Sequence, residues 1–205
     1  SEQTAQKIVD HIEQKCGGSP VKLSWFGGEP LYNMCVIDTI SEGLSARGIE
    51  FTSIMTSNGF YLTPDVAQRA KEAWHVTTIQ ITVDGTEETY NRTKAFVDDC
   101  PNPFARVLNN IEGALDAGLS IGIRLNMDAS NAQDLFSLAD LLGERFKNRP
   151  NVHVHVEPLR EFVGRIHSFS SEEELLARYW ELTDKLTRLG LHRQQELAVE
   201  LRINH

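Results

Sequence analysis

The chain has 205 residues, enough for one well-buried domain, and its 29 acidic against 20 basic side chains give a formal net charge of −9. A summed field of that sign repels phosphate backbones, which removes nucleic acid from the default partners. No run approaches the roughly 18 apolar residues that a membrane-spanning helix needs, and the opening residues show neither a basic leader nor an apolar signal core, so a cytoplasmic chain without membrane association is expected.

Ala5, Ile8, Val9 and Ile12 fall at helical spacing between Ser1 and Lys15, and Cys16 with Gly17 and Gly18 ends that first helix. Val21 to Phe26 reads as a strand that stops at Gly27, Gly28, Glu29 and Pro30. Met34, Ile37, Ile40 and Leu44 then mark a second helix, and Ile49 to Met55 a second strand with the polar exit Thr56 to Gly59. Thr63 followed by Pro64 is a cap and first-turn pair that starts a third helix, with Val66, Ala70 and Ala73 inward. Val76 to Val83 is the third strand, with Asp84, Gly85 and Thr86 as its exit. The segment Tyr90 to Pro103 reads as a long polar connection, of the kind that is often functional. Phe104 to Ala117 is helical, with Val107, Leu108, Ile111 and Leu115 inward. Ser120 to Met127 is the fourth strand, Ala132 to Phe146 a helix, and Val152 to Val156 the fifth strand. A last helix spans about Glu172 to Leu189, lined by Leu175, Leu176, Tyr179, Leu182, Leu186 and Leu189. The alternation in His192 to His205 reads as the start of a further element.

Strands alternating with helices require parallel pairing and right-handed crossovers, giving an α/β fold with a single core domain over residues 1–205. Periodicity leaves a partial or closed barrel and an open doubly wound sheet both standing. The common nucleotide-binding versions of the open sheet lose weight, because no Gly-x-Gly-x-x-Gly or phosphate-loop motif follows the first strand. The polar residues at strand exits are Glu29, Ser57, Asn58, Asp84, Arg124, Asn126 and Glu157, collected on the edge where α/β proteins bind ligands.

Gly27 and Gly28 leave backbone groups open to close approach, and Pro30 holds Glu29 extended, so the loop suits an ammonium group. Arg124 offers a planar fork of donors that matches a carboxylate. With Glu29 it would hold the two charges of an amino-acid moiety; an ordinary strand-to-helix turn and a structural ion pair explain the same residues. Asp84 before Gly85 is equally a turn-former. His153 and His155 alternate with Val152, Val154 and Val156 and share one face, as ligand neighbours or as polar filling; no His-Glu-x-x-His or close cysteine pair points to a metal. Cys16, Cys35 and Cys100, far apart and odd in number, read as free thiols. Trp25, Trp74 and Trp180 read as packing residues.

Gly27-Gly28-Glu29-Pro30 after a strand resembles the loop that holds the methionyl amino group of S-adenosylmethionine (SAM) in the radical SAM enzymes. Thr56-Ser57-Asn58-Gly59, Gln80 to Gly85 with Tyr90-Asn91-Arg92, and Arg124-Leu125-Asn126 resemble successive later motifs of that superfamily, in its peptide-modifying and anaerobic sulfatase-maturing branch. The resemblance implies a partial parallel (β/α) TIM-like barrel lacking its first strand. It implies a SAM site made by Gly27, Gly28, Glu29, Pro30, Ser57, Asn58, Thr82, Arg124 and Asn126, with Thr82 near the ribose and Arg124 on the methionyl carboxylate. Asp84 and Arg92 would face a peptide or protein substrate, although Tyr90 and Asn91 stand where the branch usually has His and Asp.

Members of the superfamily hold a [4Fe-4S] cluster on a Cys-x-x-x-Cys-x-x-Cys loop, a spacing this sequence does not contain. The expectation is therefore a core fragment whose cluster loop lies upstream of Ser1, with no cofactor tightly bound and no activity by itself, from a parent that cleaves SAM to a 5'-deoxyadenosyl radical. Its first strand would be an open sheet edge, inviting a homodimer. Two other readings stand beside this one: a SAM-binding module without redox chemistry, and a different barrel enzyme using Glu29 and Asp84, or Asp84 and Glu157, as acid and base.

Overall fold

The structure is a computed structural model and describes residues 2–94, 96, 99–159 and 169–192. Its elements in chain order are α1 (Glu2–Cys16), β1 (Val21–Trp25), a 3-10 turn (Pro30–Asn33), α2 (Met34–Ala46), β2 (Phe51–Ser57), α3 (Pro64–Glu72) and β3 (Val76–Thr82). They continue with α4 (Glu87–Thr93), α5 (Pro103–Asp116), β4 (Ser120–Met127), α6 (Ala132–Phe146), β5 (Val152–Pro158) and α7 (Glu172–Arg188). The expected tail element beyond residue 192 lies outside the described residues.

All four strand pairings are parallel, and the sheet order is β1-β2-β3-β4-β5. That order decides what periodicity could not. A doubly wound sheet reverses its strand order at a switch point, whereas this one proceeds in one direction, as a barrel wall does. At the far edge the backbone amide of Val154 already donates to the carbonyl of Leu191 (2.8 Å), so the chain after α7 returns alongside β5.

The two faces of the sheet differ in chemistry. Ile79, Ile81, Ile121, Ile123, Leu125, Val152 and Val154 pack into one large core with α3, α5, α6 and α7. Truncating one such side chain to Ala costs about 2–5 kcal/mol. The opposite, concave face carries Thr56, Gln80, Gly122 and His153 in one cross-strand row, and Thr82, Arg124 and His155 in the next toward the strand ends. Gly122 leaves the middle of this floor bare, since a Cβ there would meet no atom within 4 Å. A second, smaller core of Ala5, Val9, Ile40, Leu44 and Phe51 fastens α1 onto α2, with Gly43 admitting Val9 so closely that a Cβ would stand 2.9 Å from its methyl.

Local caps explain most boundaries. The hydroxyl of Thr63 accepts from Val66 N (3.4 Å) ahead of Pro64, Asn102 Oδ1 accepts from Ala105 N (3.0 Å) ahead of Pro103, and Ser171 Oγ accepts from Glu174 N (3.1 Å). Several sequence expectations are corrected. Ala67 with Ala70, and not Ala73, fills the inner side of α3, because Ala73 lies past the end of the helix. The expected loop from Tyr90 begins inside α4. Leu176 (46% exposed) and Trp180 (58% exposed) face away from the core that takes Leu182 and Leu186. Trp74 does pack, fully buried, with its indole N–H on Asp38 (2.7 Å), which also pairs with Arg69 (2.7 Å).

Candidate functional site

The carboxyl ends of the strands bring together the residues singled out above, in two groups. The first is centred on Glu29. Gly27, at φ 156°, turns the chain out of β1 through a conformation open to glycine, and both Gly27 and Gly28 have free space where a Cβ would stand. Glu29 then sits extended before Pro30, and its carboxylate is heavily engaged. Oε1 accepts from Leu31 N (2.9 Å) and from the Ser57 hydroxyl (2.9 Å), and Oε2 accepts from Asn58 N (2.7 Å). It therefore welds the β1 exit to the β2 exit, with one acceptor site left over among the described residues.

Ser57 and Asn58 serve that weld. Ser57 is buried on the helix-facing side of β2, where its Oγ accepts from Gly59 N (3.0 Å), and Asn58 Oδ1 accepts from Phe60 N (2.9 Å). Asn110 on α5 completes the support. Its amide donates to the carbonyls of Gly59 (2.8 Å) and Phe60 (3.0 Å). Sequence reading missed Asn110, although a lone amide inside the stripe Val107, Leu108 and Ile111 is a signal that a buried backbone group needs a donor.

The second group lies at the exits of β3 and β4. Arg124 Nε donates to Asn126 Oδ1 (2.8 Å), and among the described residues its two terminal nitrogens have no partner. Thr82 and His155 are its cross-strand neighbours. Asn126 N donates to Asp84 Oδ1 (3.1 Å), and Lys94 pairs with Asp84 Oδ2 (3.1 Å). Asn131, opening α6, donates to the carbonyls of both Asp84 (3.1 Å) and Asn126 (2.8 Å). Asp134 one turn on accepts from Thr86 N (2.8 Å) and the Thr86 hydroxyl (2.6 Å). The start of α6 thus clamps both exits.

The two groups are separate. Glu29 leaves β1 and Arg124 rises from β4, three strand spacings away, or roughly 14 Å. An elongated ligand is needed to reach both. Asp84 and Arg92 line one pocket of about 300 Å³ with Thr89, Lys94, Asn126 and Asp128, yet they do not pair. Lys94 takes the aspartate, and Arg92 is two-thirds exposed, with only a 3.9 Å approach to Glu88. Tyr90, next to the pocket in sequence, is instead fully buried against Phe104 and Phe96, its hydroxyl without a partner among the described residues, and burial together with the Asp84 charge pushes its phenol far up. Asn91 accepts from Phe104 N (3.0 Å) and donates to Asn102 (3.3 Å), joining α4 to α5.

His153 and His155 do share the concave face, with rings near parallel at 5.9 Å, and His192 lies 5.1 Å from His153. His155 is held below its ordinary range by burial first and by Arg124 next, with Glu157 opposing. Among the described residues no three His, Cys, Asp or Glu side chains gather as a metal would need. Cys16 ends α1, exposed Cys35 lies on α2, and Cys100 precedes α5.

No family model matches the chain. It is 25% identical over 127 residues to the Fe-coproporphyrin III synthase of Methanosarcina barkeri, covering 62% of this chain and 30% of that protein. Among solved structures, anSMEcpe with bound AdoMet and a peptide superposes with a TM-score of 0.69 at 14% identity, over 94% of this chain and 55% of that one. SuiB of Streptococcus suis gives 0.62 at 14% identity, over 89% and 40%. The chain thus spans between about a third and just over half of the length of these relatives. They are radical SAM enzymes. With its one-directional parallel wall and helices on a single face, the chain carries the partial (β/α) barrel of the radical SAM enzymes.

Proposed function

We propose that this chain is the core of a radical SAM enzyme, and that the strand-exit edge binds S-adenosylmethionine across its two polar groups. The observation that carries the reading is Arg124, whose open guanidinium fork stands on the same sheet edge as the Gly27-Gly28-Glu29 loop. A fork with two unpaired terminal nitrogens beside Thr82 and Asn126 is suited to a carboxylate. The glycine loop, with bare space above it and one acceptor site left on Glu29, is suited to an ammonium group. Pro30, Ser57 and Asn58 hold the loop in place.

When bound to a reduced [4Fe-4S] cluster, SAM supplies a 5'-deoxyadenosyl radical for hydrogen abstraction. The cluster would be held by cysteines other than Cys16, Cys35 and Cys100, which stand on separate elements. The chain's own residues orient the ligand, and the pocket beside Asp84 and Arg92 receives a substrate. A peptide substrate is supported by two structural neighbours described with bound peptides.

Anaerobic reconstitution with iron and sulfide tests this on the full-length protein and on residues 1–205 alone. The full-length protein should hold three or more irons and release 5'-deoxyadenosine from SAM on reduction, and the 205-residue chain should do neither. Failure of the full-length protein to cleave SAM overturns the enzyme reading. A cluster on the shorter chain overturns its assignment as a core that depends on other segments.

A further inference from the structure

His155 is the strongest unassigned group on the concave face. It is the direct cross-strand partner of Arg124 on β4, so the two side chains rise from adjacent strands onto the same side of the sheet. Arg124 spends only its Nε, on Asn126, and Thr82 flanks it from β3 with an uncharged hydroxyl. The other titratable groups around His155, among the described residues, are His153 and Glu157 on its own strand and His192 after α7. Glu157, the anion on the same strand, is exposed to solvent and acts on His155 in the sense opposite to Arg124.

We propose that Arg124 and His155 form one anion seat, and that a ligand carboxylate placed there is held by the guanidinium fork together with an imidazole that takes up a proton from solvent as the ligand binds. The proposal rests on the reading of Arg124 as the contact for the methionyl carboxylate and adds a second residue and a proton to it. The physical cause is compensation. In the free protein burial and then the adjacent guanidinium charge hold the His155 imidazole below its ordinary value. A carboxylate arriving between them cancels the effect of Arg124 and offers imidazolium an acceptor. By linkage, a group whose pKa rises on binding makes binding tighter at low pH and weaker as pH climbs through its raised value.

The test is calorimetric titration of SAM into the anaerobically reconstituted, unreduced full-length protein, in buffers of different ionisation enthalpy between pH 5.5 and 7.0. Fractional proton uptake, below one proton per SAM, is expected, with affinity falling as pH rises across that range. Decarboxylated SAM should bind with no uptake. The His155 NMR signal, assigned by its loss in His155→Gln, should titrate higher with SAM than without, and His153→Gln should retain the uptake. SAM binding without proton uptake, or equal uptake with the decarboxylated analogue, overturns the seat while leaving the SAM site in place. Absence of SAM binding to the full-length protein overturns both.

Discussion

Glu29 shows how one side chain can be structural and functional at once. Its carboxylate satisfies two backbone amides and a hydroxyl, and an amide in its place would turn a donor toward one of them. Glu29→Gln should cost about 1–3 kcal/mol of stability in urea unfolding, and SAM affinity should fall as well; unchanged unfolding would refute the weld. Arg92 and Lys94 make a contrasting pair. Arg92→Ala should leave stability within about 0.5 kcal/mol, because its ion pair among the described residues is long and exposed. Lys94→Met removes the partly shielded partner of Asp84 and should be the more destabilising of the two, by up to about 1 kcal/mol. The motif made Arg92 legible in the sequence but not Lys94, since only the path of the chain out of α4 brings the lysine back over Asp84. His155 gives a pH signature. Its folded-state value lies below the unfolded one, so the unfolded chain binds more protons and stability falls as pH drops through about 6.5. His155→Gln should flatten that slope in thermal melts between pH 7.5 and 5.5.

Among the elements, α5 and α6 act as brackets for the strand exits, and neither role could be read from periodicity. Both helices are legible in the sequence, and the inward residues Val107, Leu108, Ile111 and Leu115 of α5 follow from their spacing. What spacing cannot supply is the bonding of Asn110 to the turn after β2 and of Asn131 and Asp134 to the turn after β3, because those partners lie 47 or more positions away in the chain. Asn110→Ala would remove the buried side-chain donor that the carbonyls of Gly59 and Phe60 share, leaving them Leu62 N and Arg106 Nε respectively, at about 1–2 kcal/mol. The loss should appear in equilibrium unfolding, accompanied by faster amide exchange at Asn58 and Phe60. Comparable exchange in wild type and variant would show that α5 does not brace this turn. The connection after Tyr90 was misread in extent for a related reason: Glu87–Thr93 is only seven residues and polar, and its helix is fixed by Tyr90 docking against Phe104, a contact made from outside the segment.

At the level of the whole chain, the strand-helix alternation was legible because β2, β4 and β5 each bury one alternating phase, while β3 breaks its phase once between Val76 and Ile79, and parallel pairing follows from the crossovers. The choice of a barrel wall over a doubly wound sheet was not, because both use the same local pattern and differ only in the side on which each helix returns. The wall has an edge at β1, which pairs only with β2 among the described strands. Lys22, the second of the five residues of that strand, is a charged guard of the sort that discourages edge pairing. A homodimer through this edge stays a proposal, and sedimentation across a hundredfold concentration range decides it. Hydrogen exchange should be slowest in β3 and β4, which have partners on both sides, and faster in β1. No helix among the described residues is long and apolar enough to cross a membrane.

The bare spot at Gly122 offers an observation window into the barrel. A cysteine there would stand on the concave floor between Gln80 and His153, its Cβ meeting no atom within 4 Å. A small fluorophore or spin label attached to it would sit one row below Arg124 and His155, close enough to report what arrives above. Filling of the site could then be followed optically or magnetically in a protein whose ligand-contacting residues are all untouched.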